Sequence, residues 1–382
     1  MRIAYVCTDP GIPVFGTKGA SIHVQEMLRA FVSLGAEVTL LSPRLEGTPP
    51  GDLARVATAP LPLPRKGNAE DRARDALALN AEVVSSLRAA GPLDMIYERH
   101  ALYAHAAMET ARDLSVPGLL EVNAPLSEEQ ARHRTLARPE AAEASARRAM
   151  EAAHAITAVS PAVAAHCRSL GGRIVEVVPN AISPDRFPEV ARPEGAFTVG
   201  FLGSLKPWHD VDSAIAALAI LREEVPDARL VIIGDGPERD RLVTLAADLG
   251  VADAVEFTGA VAPDSVPGQL ARLHVGLAPY PASENFYFSP LKIYEYMAAG
   301  LAVVTSRSGH LPEVVDHGRT GLLTAPGDRR ALAAALADLA RDPARREALG
   351  REARAEVLAT RTWDGVASRV LALAGIGKRS AA

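Results

Sequence analysis

Apolar residues in this chain fall into short runs rich in Val, Ile and Leu, separated by stretches where they recur every three or four positions. The runs RIAYVC (2–7), EVTLLS (37–42), DMIYE (94–98), GLLEV (118–122), AITAVS (155–160) and IVEVV (174–178) predict strands. Helical spacing is clearest at 20–34, 69–89 and 140–153. Alternation of this kind predicts a parallel sheet with helices on both faces.

The pattern breaks at PEVARPEGA (188–196), Pro-rich and weakly periodic, which predicts a hinge-like linker. It then restarts with FTVGFLG (197–203), ARLVIIG (228–234), AVEFTG (254–259), HVGLAP (274–279) and LAVVTS (301–306). From about residue 328 to 374 the chain is almost all helix, with Trp363 anchoring a late one. The expected fold class is α/β, with two Rossmann-like doubly wound parallel-sheet domains at 1–188 and 189–360. In open parallel sheets ligands bind beyond the carboxyl ends of the strands, so the cleft between the domains is the expected site.

Composition narrows the function more than the fold. At 382 residues the chain suits two cores. A net charge of −5 and the lack of a basic tract or aromatic-plus-basic groove give no reason to expect nucleic acid. Cys7 and Cys167 are the only cysteines, which excludes a disulfide framework or a metal knuckle. The opening MRIAYVCTDPG does not read as a signal peptide, and no run is long and apolar enough to span a bilayer. A cytoplasmic protein without stable membrane insertion is the expectation; oligomeric state is left open.

The densest chemistry lies in YPASENFYFSPLKIYEYMAAGLAVVT, 280–305. Ser289 is a good helix N-cap and Pro290 fits the first helical position. The first-turn amides and helix dipole would then form an anion site, with Lys292 in that turn and Glu295 on the same face. A cation for phosphates beside a carboxylate for sugar hydroxyls suits a nucleotide sugar. The plainer alternative is a surface ion pair worth a few tenths of a kcal/mol.

Two other motifs mislead. DPGIPVFGTKGAS spells Gly11-x4-Gly16-Thr17-Lys18, with Thr and Lys in the reverse of the order a phosphate-binding P-loop requires. Asp210-Val211-Asp212 mimics a metal-binding Asp-x-Asp, but it falls where a helix begins, so Asp210 reads as a cap or first-turn acid. No metal site is expected.

Taken together, the ordered stretches GTKGASIHVQEMLRAFVSLGAEVTLLS, ITAVSPAVAAH, VVPNAISPDRF, FLGSLKPWHDVDSAIAAL, VIIGDGPERDRL, SPLKIYEYMAAGLAVV and GHLPEVVDHGRTGLL resemble a family 4 glycosyltransferase of the GT-B fold. The resemblance covers nearly the whole length. It implies two such domains facing across a cleft, the acceptor on the first and the nucleotide sugar mainly on the second. It also implies a final helix, 361–382, crossing back to the first domain.

The family signature is two glutamates separated by seven residues. Glu295 matches the second, which implies a contact to the ribose. Tyr287 stands where the first would be, and Glu284 lies three residues earlier, so the sugar's identity is put in doubt. The resemblance implies that the backbone of Phe288, Ser289 and Leu291 contacts the donor instead. Relatives commonly show Gly-Arg and then Lys-Gly for the diphosphate; here Gly203, Ser204, Lys206 and His209 stand there, with Lys206 and His209 as the available cations, the histidine being mostly neutral at pH 7 unless a neighbouring anion raises its pKa. Nucleotide contacts are implied at Gly234, Asp235, Thr258 and Val261. In the first domain Gly16, Thr17 and Lys18 resemble the family's glycine-rich acceptor and phosphate loop, followed by His23. Asn123 occupies the place of a His beside the transferred sugar, and a neutral amide orients a hydroxyl but does not act as a base. Glu98, Arg99 and His100 end another strand on the acceptor side.

The implied reaction is a retaining transfer of a hexose from a nucleotide-diphosphate sugar, UDP-linked by preference and GDP-mannose next, to a hydroxyl or amine. Lys206 and Lys292 would stabilise the leaving phosphate, without a metal or other cofactor. Two rivals stand beside it: a nucleotide-sugar 2-epimerase on the same fold, and a non-catalytic nucleotide-sugar-binding protein. Without a basic, aromatic-studded helix on the first domain, a membrane-bound acceptor is not favoured.

Overall fold

The run RIAYVC forms the strand Arg2–Cys7 (β1), fully buried from Ile3 to Cys7, as a strand covered on both faces must be. The computed structural model describes residues 1–65, 67–282, 287 and 289–377, which fall into two units. The first comprises residues 1–180, Tyr287, Ser289 and the C-terminal segment from Trp363; the second comprises 181–282 and 290–362.

The first unit's sheet continues with Glu37–Ser42 (β2), Ala57–Pro60 (β3), Met95–Arg99 (β4), Gly118–Val122 (β5), Ala155–Ala158 (β6) and Val175–Val177 (β7). Its strands are all parallel, in the order β3-β2-β1-β4-β5-β6-β7. Edge strand β3 escapes a pattern reading because ATAP is mostly exposed and has no apolar face to alternate. Strand β4 begins one residue later than DMIYE predicts, because Asp94 turns its carboxylate to the Arg2 amide at 2.7 Å. Strand β6 stops at Ala158, since Ser160 is taken as the N-cap of the following helix, Pro161–Ser169. The Trp363–Leu373 helix joins this unit by packing on the Gly19–Ser33 helix. Trp363 meets His23 edge-on at 4.7 Å, and Ser33 Oγ donates to Asp364 at 2.9 Å.

The second unit's sheet contains Thr198–Leu202 (β8), Arg229–Ile233 (β9), Val255–Gly259 (β10), Val275–Ala278 (β11), Ala302–Ser306 (β12) and Gly321–Thr324 (β13). All pairs are parallel, in the order β10-β9-β8-β11-β12-β13. Strand β13 is not among the strands expected from the sequence. The direction in which successive strands are added reverses between β8 and β11, so this is the topological switch point. Asp210 precedes the Val211–Leu221 helix as expected. Asp212 forms a two-pronged pair with Arg241 at 2.5 and 2.8 Å.

Candidate functional site

Strands β8 and β11 pair only at Val199–Val275 and Gly200–Gly276, then part. Into the split comes the hydroxyl of Tyr296, accepting from the Leu202 amide at 2.7 Å and donating to the Leu277 carbonyl at 3.1 Å. Gly276 makes room for the ring, since a Cβ there would lie 2.4 Å from it. Tyr296 belongs to the Leu291–Ala298 helix, so this plug fixes that helix over the carboxyl ends of the strands.

One turn earlier on the same helix, Lys292 is buried and points at the loop after β8. Its ammonium lies 4.1 Å from the Phe201 ring centroid and 5.5 Å from that of Tyr280. Nζ has no hydrogen-bond partner among the described residues. Burial lowers its pKa to about 7, opposed by the charge of Glu295. Gly203 has φ 142°, and a Cβ there would stand 2.9 Å from Lys292 Nζ. Gly234 and Gly236 are equally constrained: their Cβ atoms would lie 2.1 Å from the Gly203 carbonyl oxygen and 2.4 Å from that of Leu205. The loop after β8 thus abuts the buried ammonium, and the loop after β9 packs against that loop in turn.

His209 joins this cluster at 5.9 Å from Phe201 and 6.0 Å from Tyr280, ring to ring. It is not the cation the sequence offered. Burial, and then the neighbouring Lys292 charge, lower its pKa to about 3. Its Nδ1 lies 2.6 Å from the Ser204 carbonyl, which only an N–H satisfies; the neutral ring therefore keeps Nε2 as an acceptor. Lys206 lies over the Trp208 ring at 5.8 Å, and Trp208 meets His209 at 6.2 Å. Asp235 Oδ1 accepts from the Gly236 amide at 2.7 Å, and Thr258 Oγ1 is turned to the Gly259 carbonyl at 2.9 Å. Val261 is half-buried just beyond β10. Arg239, which the sequence reading passed over, lies 5.9 Å from the Phe257 ring.

The helix start differs from expectation. Pro290, with ψ 82°, occupies the cap position, and the helix begins at Leu291. Ser289 does not cap it: its Oγ accepts from the Asn180 amide at 3.0 Å, while its carbonyl accepts from Asn180 Nδ2 at 3.3 Å. Lys292 keeps its place in the first turn. Tyr287 is buried in the first unit's core, its pKa raised by burial and by the hydrogen-bonded Glu129 carboxylate. Phe288 and Glu284 lie outside the described residues.

In the first unit the carboxyl ends of β4 and β5 hold a polar network whose hub the sequence reading missed. Glu121 accepts from Tyr97 Oη at 2.6 Å, Arg99 Nη1 at 2.7 Å and His23 Nε2 at 2.7 Å, and from Asn123 Nδ2. Burial pushes its pKa up, but the charges of His23 and Arg99 outweigh this and hold it well below the carboxylate range. The available signal was an acid inside the apolar strand GLLEV. Glu98, between Tyr97 and Arg99 on β4, is buried among other residues, including Thr8, Leu79 and Asn80; burial raises its pKa to about 8, and its Oε2 is unpartnered among the described residues. The buried His100 Nδ1 has no hydrogen-bond partner among the described residues, and burial and then His166 lower its pKa to about 4. Gly16 is half-buried and Thr17 and Lys18 exposed. Gln25, also missed, pins that loop by donating to the Val14 and Gly16 carbonyls at 2.8 and 2.9 Å.

These two all-parallel Rossmann-like sheets are those of the GT-B fold. The Anabaena protein HepE, solved in complex with UDP-glucose, matches with a TM-score of 0.71 at 20% identity, covering 97% of this chain and 98% of that one. Residues 17–186 match the family model described as Glycosyltransferase Family 4, and residues 196–342 the one described as Glycosyl transferases group 1. The chain belongs to this glycosyltransferase family. A GDP-mannose-dependent α-(1-6)-phosphatidylinositol monomannoside mannosyltransferase of Mycobacterium tuberculosis is 34% identical over 213 residues, 51% of this chain and 54% of that protein. The chain thus spans about half the length of the first curated relatives it matches. A 2-deoxystreptamine N-acetyl-D-glucosaminyltransferase of Streptomyces fradiae is 27% identical, covering 86% of this chain and 83% of its own. Among the described residues, no helix is long and apolar enough to cross a membrane.

Proposed function

We propose that the chain transfers a hexosyl group from a nucleotide-diphosphate sugar to a hydroxyl or amine of a small or glycan-like acceptor, with retention of anomeric configuration. The observation that carries this reading is the buried Lys292 ammonium, which has no hydrogen-bond partner among the described residues and is held against glycine-lined loops at the switch point of the second unit. A buried cation without a partner is costly, and a pyrophosphate supplies the missing charge.

In this reading the bond from the anomeric carbon to the phosphate oxygen breaks as the acceptor oxygen attacks on the same face. The departing phosphate oxygen takes the acceptor proton, and Lys292 and Lys206 offset its growing negative charge. His209 accepts a hydrogen bond from a hydroxyl of the bound donor through Nε2, an orienting role for which its neutrality is required. Glu295 would hold the ribose. The site's cations are side chains, so turnover is expected to survive a chelator.

The UDP-linked donor keeps first place, supported by the UDP-glucose-bound fold neighbour; the mannosyltransferase relative supports GDP-mannose as the second candidate. A thermal-shift series with UDP-glucose, UDP-N-acetylglucosamine and GDP-mannose separates them, since a ligand bound to the native state raises its melting temperature. Donor incubated alone tests the rivals: release of an epimerised sugar would replace the transferase reading, and binding without any turnover across an acceptor panel would leave a binding protein.

A further inference from the structure

At the opposite, amino-terminal edge of the second sheet lies a hollow of about 180 Å³, lined by Arg192, Arg346, Arg351 and Arg354 against Glu189 and Glu347. It is separate from the candidate donor site: His274 and Ala302 on its wall stand at the starts of β11 and β12, not their ends. Four guanidiniums against two carboxylates leave an excess of positive charge. Glu347 is itself drawn to Arg351 at 4.0 Å.

The arginines are only partly satisfied. Arg192, brought in by the 188–196 linker, donates from Nη2 to the Ala299 carbonyl at 2.6 Å, and Arg354 donates to the Ala298 carbonyl. Arg346 donates from Nη1 to the Leu339 carbonyl at 2.8 Å and lies over the Phe197 ring. Arg192 Nη1 and Arg346 Nε are buried with no partner among the described residues. Burial, and then the charge of Arg354, lower the Arg192 pKa, and burial lowers that of Arg346. Buried guanidinium N–H groups without a protein acceptor are costly, and planar donors of this type match phosphate oxygens. A water occupies about 30 Å³, so the hollow has room for a phosphate group with its substituent at the mouth.

We propose that this arginine hollow is a second anion site, which takes the phosphate group of inorganic phosphate or a phosphomonoester. Arg192 Nη1 and Arg346 Nε supply buried donors, and the more exposed Arg351 closes over the outer oxygens. His274 adds no charge: its Nδ1 accepts from the Thr198 amide at 3.0 Å, so Nε2 carries the proton donated to the Pro193 carbonyl at 3.0 Å.

The test is calorimetric titration of the full chain with inorganic phosphate and, separately, with glucose 6-phosphate. Saturable binding is expected in the parent chain and in Lys292→Met, which removes the donor-side cation. The double variant Arg346→Gln, Arg351→Gln is expected to weaken it by about tenfold or more. Arg351→Glu, on an exposed position, gives the same readout should the double variant melt early. Tighter binding of glucose 6-phosphate identifies a sugar phosphate as the occupant; equal binding identifies bare phosphate. Absence of saturable binding by both probes overturns the proposal, as does binding lost in Lys292→Met but kept in the arginine variants.

Discussion

A single methyl group on residue 203 would stand 2.9 Å from the Lys292 ammonium, closer than real side chains approach. Gly203 also has φ 142°, a conformation that costs an L-residue about 1–3 kcal/mol. Gly203→Ala is therefore expected to push Lys292 off its aim and to weaken donor binding by about tenfold or more, with a smaller loss of thermal stability. Titrating the variant with the preferred nucleotide sugar checks this. Unchanged affinity would mean that the loop and the lysine do not share a ligand.

Lys292 sets the expected pH behaviour. With a folded pKa of about 7, the free enzyme loses its ammonium as pH rises, so donor kcat/KM is expected to fall about tenfold per unit above that point. Lys292→Met should depress turnover by about a hundredfold or more and abolish this limb. Stability moves the other way. Because the folded pKa lies below the ordinary 10.5, the native state binds fewer protons than the unfolded one between about 7 and 10.5, and stability gains with pH there. The ligand-free Met variant should thus melt above the parent below pH 7 and approach it near pH 10.5. Paired melting curves across that range decide the matter.

The sequence made most of the fold legible, because strands buried on both faces are written as unbroken apolar runs. Edge strand β3 lacked that signature. Lys292 and Gly203 were legible because a lysine in a capped helix and a glycine after a strand are local features. Glu121, Gln25 and the Tyr296 plug were not, since their partners lie on other elements and only the folded sheet brings them together. His209 shows the same limit: its residue type suggested a cation, while burial beside Lys292 makes it neutral. Ser289 had every local credential of a cap and spends its hydroxyl on Asn180 instead.

Tyr296 tests how much the strand split depends on one hydroxyl. Tyr296→Phe keeps the ring over Gly276 but leaves the Leu202 amide and the Leu277 carbonyl unsatisfied in a buried position. The expected cost is about 1–3 kcal/mol in denaturant unfolding. Donor affinity should fall as well, because the plug sets the height of Lys292. A variant as stable as the parent would show that water replaces the hydroxyl.

Glu98 is a carboxyl whose pKa burial raises from 4.5 to about 8. Its contribution to stability is fully present below the unfolded value and is lost as pH rises through the folded one. Glu98→Gln, neutral at every pH, should therefore match the parent near pH 4 and exceed it increasingly up to pH 8. Melting temperatures at pH 4, 6 and 8 test this; a constant difference would place the cause in packing and not in ionisation.

Glu121 differs from Glu98 in having its charge matched. It receives hydrogen bonds from Tyr97, Arg99, His23 and Asn123, so its removal strands the buried Arg99 guanidinium without a counter-charge. Breaking a buried pair by deleting one partner costs about 3–5 kcal/mol, and Glu121→Ala is expected to lose that much in urea unfolding. Glu121→Gln retains an acceptor oxygen but not the charge, and should fall between the two. Removing both charges with Glu121→Gln, Arg99→Met should recover much of the loss, since no uncompensated ion then remains inside. If the double variant is as unstable as Glu121→Ala, then shape at the ends of β4 and β5, and not charge balance, governs that network.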